Sequence, residues 1–159
     1  MSRGASPRRT APGVLLDTSF ILPVLGYDAG PRVQAALEAL RRCSCPLYYS
    51  ELSILEALWK IVKTPPAATA EGRRRVAEGV EALRRGLRVA PLRGEAAELA
   101  IALYRLGHRD MVDNLLYASA RVEGLRLLTL DRGLASFLEN RGLPSRGVLL
   151  FPEELEALA

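Results

Sequence analysis

The sequence predicts an α/β fold: a three-layer α/β/α sandwich around a central, mainly parallel sheet of four to five strands. Short apolar runs alternate along the chain with longer segments whose apolar residues recur at helical spacing. This alternation is typical of parallel strands joined by right-handed crossovers, with helices on both faces of the sheet. The chain has 159 residues and 49% apolar content, which is enough for one domain with a buried core.

Two regions are expected along the chain. Residues 1–13 mix Gly, Pro, Ser and Arg without apolar periodicity, which indicates a flexible basic arm that is either solvated or in contact with phosphate. Residues 14–159 are expected to form a single domain. Its predicted strands are residues 14–17, 46–50, 87–91, 125–130 and 146–151.

The predicted helices follow from apolar spacing together with start and stop signals. Pro31 suits the first turn of a helix, and Ser50 and Asp110 can cap two others. The consecutive prolines Pro65 and Pro66 stop the helix that precedes them. Longer helices are expected at residues 31–42, 51–63, 71–85, 94–106, 110–123 and 132–140.

The positive charge of the chain is carried almost entirely by arginine. The formal net charge is +4, and 20 of the 22 basic residues are arginines. The planar guanidinium of arginine suits phosphate, which favours a nucleic acid as partner. Codon bias toward arginine or adaptation to heat would give the same composition, so both explanations stay open.

The cysteines and the apolar stretches favour a reduced cytoplasmic protein. Cys43 and Cys45 are one residue apart, and the single histidine, His108, is distant in sequence. This pattern is neither a disulfide framework nor a zinc site. No apolar stretch approaches the length of a membrane span, and Asp17 and Pro23 interrupt the run most similar to a signal peptide. We therefore expect neither secretion nor a membrane location.

Four carboxylates occur close to the ends of predicted strands. Asp17 and Asp131 each end an apolar strand. Asp113 lies in the first turn of a predicted helix, and Glu56 follows the second strand by little more than one helical turn. Sites in parallel α/β sheets form outside the carboxyl ends of the strands, so these side chains are expected to converge.

Convergence of these carboxylates requires a cation. Two carboxylates about 5 Å apart repel by about 3 kcal/mol at an effective dielectric constant of about 20. A divalent metal ion removes that penalty, and ligation by oxygen alone favours Mg²⁺ or Mn²⁺ over Zn²⁺. Such ions activate water and stabilise a leaving oxygen in phosphodiester hydrolysis.

Each of these residues also has a purely structural interpretation. Asp17 and Asp131 can cap helices, and Asp113 can interact with a helix dipole. Glu56 can form a salt bridge with Lys60 one turn later. The helix that carries Glu56 is apolar on nearly every side, so it is expected to be buried, where a carboxylate is costly unless it is paired. Glu56 is therefore the residue that these alternatives explain least well.

Four short motifs surround the four carboxylates, at residues 15–19, 50–56, 113–120 and 128–131. They resemble the successive acidic motifs of the PIN-domain nucleases, among them toxins of VapC type. The likeness runs over residues 14–151, and the motifs follow the order of the family with comparable spacing. The resemblance implies a parallel sheet between helices and metal-dependent cleavage of single-stranded RNA.

The resemblance also implies which residues form the site. The catalytic and metal-binding set, with one or two Mg²⁺ or Mn²⁺ ions, is Asp17, Glu56, Asp113 and Asp131. Residues expected to support these carboxylates are Thr18, Ser19, Asp110, Asn114 and Thr129. Two nearby arginines, Arg109 and Arg132, are candidates for neutralising RNA phosphates.

Many small members of the family are toxins that an antitoxin protein holds inactive, and many form homodimers. The resemblance therefore implies RNA, an antitoxin and a second copy of the chain as partners, in a homodimer or higher oligomer. Three features depart from the family pattern: the arm at residues 1–13, the Pro65–Pro66 loop and an extra Arg-rich helix at residues 71–85. A housekeeping role in RNA processing therefore stays open.

Two further functions stay open. The first is a non-catalytic module that holds RNA or a protein without cutting, although the presence of all four acidic residues weighs against it. The second is a phosphatase with Asp17 as nucleophile. That chemistry usually needs a second acidic residue two positions later, where this chain has Ser19.

Overall fold

Five short parallel strands form the central sheet. The computed structural model describes residues 11–158, so most of the expected basic arm, residues 1–10, lies outside the described residues. Neighbouring strands are parallel throughout, which confirms the predicted parallel sheet. In chain order the strands are β1 (Val14–Leu16), β2 (Leu47–Tyr49), β3 (Arg88–Val89), β4 (Arg126–Leu128) and β5 (Leu149–Leu150).

Helices connect the strands and begin at the expected signals. Pro31 lies in the first turn of the second helix, and Ser50 caps the third by accepting a hydrogen bond from the Leu52 amide at 3.2 Å. Within residues 11–158 the α-helices are α1 (Thr18–Ile21), α2 (Pro31–Arg42), α3 (Glu51–Ile61), α4 (Ala70–Gly86), α5 (Gly94–Leu106), α6 (Met111–Glu123) and α7 (Arg132–Asn140). None of these helices is long and apolar enough to cross a membrane.

Short 3₁₀ helices complete the described chain. They span Leu22–Leu25, Pro65–Ala68 and Pro152–Leu158. The first continues directly from α1, and the second occupies the predicted proline loop. The third, at the end of the described chain, was not predicted from the sequence. It packs against α2 through its buried Leu155.

The two faces of the sheet carry separate apolar cores. In β1 the side chains of Val14 and Leu16 pack into one core and that of Leu15 packs into the other, as the alternation of a strand requires. The first core also contains buried residues of α2, α3 and α4, and the second contains buried residues of α5, α6 and α7. The predicted three-layer α/β/α sandwich is therefore confirmed.

The strand order reverses at the centre of the sheet. The order is β3-β2-β1-β4-β5, so the chain adds β2 and β3 on one side of β1, and β4 and β5 on the other. In open parallel sheets, ligands bind outside the carboxyl ends of the strands at such a switch point. Asp17 directly follows β1, and Asp131 lies shortly after β4.

One face of α3 is exposed, contrary to the prediction of a buried helix. Trp59 is 64% exposed, and Leu55 and Val62 are also more than half exposed. The helix buries Ala57 and Ile61 instead. The prediction of complete burial was wrong because apolar residues around a helix do not show whether another element of the same chain covers each face.

The two cysteines are bonded to each other. Cys43 ends α2 in an extended conformation, and Cys45 is buried shortly before β2. Their Cα atoms are 5.3 Å apart, a separation typical of disulfides. The structure therefore pairs two cysteines that the sequence analysis expected to be reduced.

Candidate metal centre

A chain of hydrogen bonds joins the ends of β1 and β4. The Thr18 amide donates to Asp17 Oδ1 at 2.6 Å, and the hydroxyl of Thr129 donates to Asp17 Oδ2 at 3.0 Å. The same hydroxyl oxygen accepts from the Asp131 amide at 3.0 Å. Because Thr129 is almost completely buried, its hydroxyl fixes the two aspartates relative to each other.

Asp131 and Asp110 are helix caps, as one interpretation of the sequence expected. Asp131 Oδ1 accepts from the Leu134 amide at 3.0 Å at the start of α7. Asp110 Oδ1 accepts from the Asp113 amide at 3.0 Å at the start of α6. Capping uses one oxygen of each carboxylate, so the second oxygen remains available for another contact.

Asp113 lies among the other acidic side chains. The pKa of Asp113 is raised to about 8, chiefly by burial and in smaller part by the charges of Asp17, Asp110, Asp131 and Glu56. Among the described residues, no hydrogen bond reaches the carboxylate of Asp113. The structure therefore places all four predicted acidic residues close enough for their charges to act on one another. The carboxylate of Asp113 has no hydrogen bond among the described residues to offset this repulsion.

The negative charge of Asp17 is partly stabilised by hydrogen bonds and by a neighbouring positive charge. The pKa of Asp17 is raised to about 6, chiefly because of burial, and the charge of Glu56 acts in the same direction. The hydrogen bonds from Thr129 and Thr18 lower this pKa, as does the positive charge of Lys60. The two aspartates thus differ both in the hydrogen bonds they receive and in the charges around them.

Only one of the two carboxylate oxygens of Glu56 has a partner among the described residues. Its Oε1 lies 3.2 Å from Lys60 Nζ, which is the salt bridge that the spacing of the two residues allows. Its Oε2 is buried and has no hydrogen-bond partner among the described residues. An unpartnered buried carboxylate oxygen is costly. Lys60 is therefore a charged residue of the site that was expected only as a helix partner of Glu56.

His108 is a second residue of the site that reasoning from the sequence missed. One ring nitrogen of His108 and one carboxylate oxygen each of Asp113 and Asp131 lie within 4.8 Å of one another. His108 lies in the turn between α5 and α6. The only signal in the sequence was its position two residues before Asp110.

These side chains fit a divalent cation. The donors are carboxylate oxygens and one imidazole, which are common ligands of divalent metals. A cation would also give Glu56 Oε2 the partner that the described residues do not provide, and it would offset the repulsion around Asp113. The group whose ligand atoms lie within 4.8 Å of one another is His108, Asp113 and Asp131, and the roles of Asp17 and Glu56 as metal ligands stay predictions.

The remaining predicted site residues lie in different environments. Thr18 is buried and its hydroxyl has no partner among the described residues, whereas Ser19 is only half-buried. Asn114 contacts His108 rather than a carboxylate. The guanidinium of Arg109 stacks on Tyr104. Their roles stay predictions, and of the predicted supporting residues Thr129 has the most direct contact with the acidic set.

The guanidinium of Arg132 contacts Phe151 and Glu153 rather than the four predicted carboxylates. Its guanidinium lies 3.6 Å from the centre of the Phe151 ring and forms a salt bridge with Glu153. More than half of its side chain is exposed. An exposed pair of this kind contributes little to stability.

Comparisons with known proteins identify one family and several similar folds. The family model described as the PIN domain matches residues 14–138. Comparison with the curated proteins gives no match. Among solved structures, FitAcB from Neisseria gonorrhoeae is 17% identical, with a TM-score of 0.59 over 88% of this chain and 98% of that one.

Two further solved structures show the same fold. VapBC2 from Rickettsia felis, bound to a DNA fragment from its promoter, is 13% identical, with a TM-score of 0.57 over 87% of this chain and 98% of that one. VapC20 from Mycobacterium tuberculosis, a toxin that cleaves the sarcin-ricin loop, is 18% identical, with a TM-score of 0.58 over 82% and 96%. At these identities the likeness concerns the fold.

Proposed function

This chain belongs to the PIN domain family, as its four acidic motifs implied, and we propose that it is a metal-dependent endoribonuclease that cleaves single-stranded RNA. One observation carries the proposal. Four acidic side chains from separate elements converge at the switch point of the sheet, and the pKa of Asp113 is raised to about 8 by burial and by the charges of the others. Clustered acidic residues with shifted pKa values are typical of functional sites.

We assign two roles to the four carboxylates. Asp17, Asp113 and Asp131 hold one or two Mg²⁺ or Mn²⁺ ions, and Glu56 binds a second ion or positions water. When bound, such an ion supplies water activation and stabilises the charge on the leaving oxygen. Thr129 orients Asp17 through its hydroxyl, and the amide of Asp131 is held by the same oxygen.

Basic residues around the site are proposed to bind the RNA phosphates. Arg132 adjoins Asp131 in sequence, and a phosphate would displace Glu153 from its exposed pair with this arginine. Arg109 lies one residue from Asp110 with an exposed guanidinium stacked on Tyr104. The proposal places this activity in the cytoplasm, where RNA substrates are available.

We also propose that the chain is the toxin of a type II toxin-antitoxin pair and forms a homodimer. The similar structures include VapBC2, bound to promoter DNA, and a Klebsiella pneumoniae toxin-antitoxin complex. The exposed side of α3, with Leu55, Trp59 and Val62, offers apolar surface for protein contacts. A groove of about 510 Å³ between α3 and α4 continues this surface.

The nuclease proposal is tested on purified full-length protein with end-labelled, unstructured RNA. We expect cleavage in Mn²⁺ or Mg²⁺, loss of cleavage in EDTA, and recovery when excess Mn²⁺ is added. Asp17→Asn should be inactive but folded. Binding of RNA with no cleavage in either metal would contradict the proposal and favour a non-catalytic module.

The toxin role is tested in cells. Expression of the chain should arrest growth, and co-expression of a small reading frame directly upstream of its gene should relieve the arrest. The Asp17→Asn variant is the control and should not arrest growth. RNA cleavage in vitro without growth arrest would contradict the toxin role and favour housekeeping RNA processing.

A further inference from the structure

The single histidine of the chain lies beside two of the acidic residues. A ring nitrogen of His108 is within 4.8 Å of carboxylate oxygens of Asp113 and Asp131. We propose that His108 is a ligand of the divalent metal, so that the site combines imidazole nitrogen with carboxylate oxygen and selects Mn²⁺ over Mg²⁺. This inference rests on the proposed metal-dependent function.

Hydrogen bonds determine which ring nitrogen can bind a metal. The side-chain amide nitrogen of Asn114 donates to the backbone carbonyl of His108 at 2.8 Å. Since only the amide nitrogen can donate to a carbonyl, the amide oxygen of Asn114 is the atom that faces the ring, 2.7 Å from Nδ1. Nδ1 must therefore carry the proton, and the lone pair of the neutral ring lies on Nε2.

This arrangement is typical of histidines that bind metals. A metal-binding histidine usually donates its other ring nitrogen to an oxygen acceptor, which fixes the tautomer and the ring orientation. Asn114 is completely buried, so its side chain is a rigid acceptor. No hydrogen bond occupies Nε2 among the described residues.

The position of His108 is fixed before any ligand binds. Its amide donates to the Leu103 carbonyl at 3.1 Å, at the end of α5. The turn there passes through Gly107 in the left-handed region, with φ of 119°. The imidazole also packs at a tilt against the ring of Phe137, with centroids 5.2 Å apart. A preorganised ring loses little entropy when it binds an ion.

An imidazole ligand changes which ion the site prefers. Mg²⁺ favours oxygen ligands and keeps much of its water, whereas transition metals accept imidazole nitrogen readily. Mn²⁺ shares the preference of Mg²⁺ for oxygen donors, but as a transition metal it binds imidazole nitrogen more readily than Mg²⁺ does. A site with His108 should therefore discriminate against Mg²⁺ more strongly than four carboxylates alone.

The decisive experiment is pulsed electron paramagnetic resonance on Mn²⁺-loaded, tag-free, full-length protein without RNA. Because the chain has one histidine, imidazole nitrogen coupling to Mn²⁺ can come only from His108. We expect this coupling in the wild type and a changed coupling after incorporation of isotopically labelled histidine. Mn²⁺ bound without imidazole coupling would overturn the inference and leave the proposed nuclease function standing.

Calorimetric titrations provide an independent test. His108→Gln should weaken Mn²⁺ binding by about 10-fold or more and change Mg²⁺ binding much less. Asn140→Gln, an exposed substitution at the end of α7, is the matched control and should leave both affinities unchanged. Equal losses for the two ions would overturn the proposed selectivity. If the wild type bound neither ion, the proposed metal-dependent function would fail as well.

Discussion

The candidate site has two halves that differ in how their charges are satisfied. The strand half consists of Asp17, Thr129 and Asp131, which hydrogen bonds join across the ends of β1 and β4. The helix half consists of Glu56 on α3 and Asp113 on α6. Among the described residues, the Asp113 carboxylate receives no hydrogen bond, and Glu56 Oε2 has no partner.

This difference shows which part of the site depends on a cation. Hydrogen bonds to a charged group each contribute about 1.5–3 kcal/mol, so those to Asp17 offset part of the cost of its burial, although its pKa is still raised to about 6. The helix half instead holds carboxylates that repel each other, and the pKa of Asp113 is raised to about 8 as a result of burial and neighbouring charge. If the proposed cation binds, it should therefore relieve more repulsion around Asp113 in the helix half than around Asp17 in the strand half.

The largest expected effect is on cleavage by the Asp113→Asn variant. Loss of this carboxylate removes the helix-half ligand with the strongest need for a cation, so RNA cleavage in Mn²⁺ should fall by about 100-fold or more. Asp28→Asn, an exposed residue in a loop, is the matched control and should cleave at the wild-type rate. Normal cleavage by Asp113→Asn would contradict the assignment.

The next effect concerns stability against pH in the absence of metal. The pKa of Asp113 is raised from 3.8 to about 8 and that of Asp17 from 3.8 to about 6. The protonated forms thus favour the folded state, and this contribution, complete below about pH 4, is lost as the pH rises toward about 8. In EDTA, Asp113→Asn should therefore melt at a higher temperature than the wild type, and this difference should grow as the pH rises. A difference in melting temperature that did not change with pH would contradict the raised pKa of Asp113.

A smaller effect is expected from loss of the Thr129 hydroxyl in the strand half. Thr129→Val leaves the Asp17 carboxylate and the Asp131 amide without their shared partner, which should destabilise the fold by about 1–3 kcal/mol. Cleavage should fall by about 10-fold because Asp17 is no longer oriented. Thr129→Ser keeps a hydroxyl and should restore most of the activity. If valine and serine behaved alike, the hydroxyl would have no positioning role.

The smallest effect is expected from Asp110→Asn. Asparagine caps a helix as well as aspartate does, so α6 should keep its start. Asp110 is exposed, and one exposed charge contributes at most about 1 kcal/mol, so cleavage should stay within about fivefold of the wild-type rate. A loss of cleavage rate as large as that of Asp113→Asn would instead place Asp110 among the metal ligands.

The fold could largely be predicted because its signals are local. Apolar runs of strand length marked all five strands, and α2, α5 and α7 have the predicted bounds. Exposed apolar surface for a dimer could be expected on residues 51–62, but which side of α3 is exposed could not be predicted, because Leu55 and Trp59 look like core residues until the neighbouring elements are known. The 3₁₀ helix Pro152–Leu158 lacks a clear periodic pattern and was also missed.

The site was predictable only in part, for a similar reason. Strand ends in a parallel sheet meet at one edge, so Asp17 and Asp131 could be placed together from the sequence. The contacts of His108 and Lys60 depend on how the turn before α6 and the surface of α3 face that edge. Spacing along the chain does not contain that information, so both residues became visible only in the structure.

Thermal unfolding at about pH 8 with and without Mn²⁺ tests the central claim. The claim is that burying the charged carboxylate of Asp113 in the helix half destabilises the fold, and that a bound cation removes this destabilisation. In EDTA, Asp113→Asn should melt at a higher temperature than the wild type. Saturating Mn²⁺ should raise the melting temperature of the wild type and leave Asp113→Asn nearly unchanged. A wild type that does not respond to Mn²⁺, or a variant that responds equally, would contradict the account.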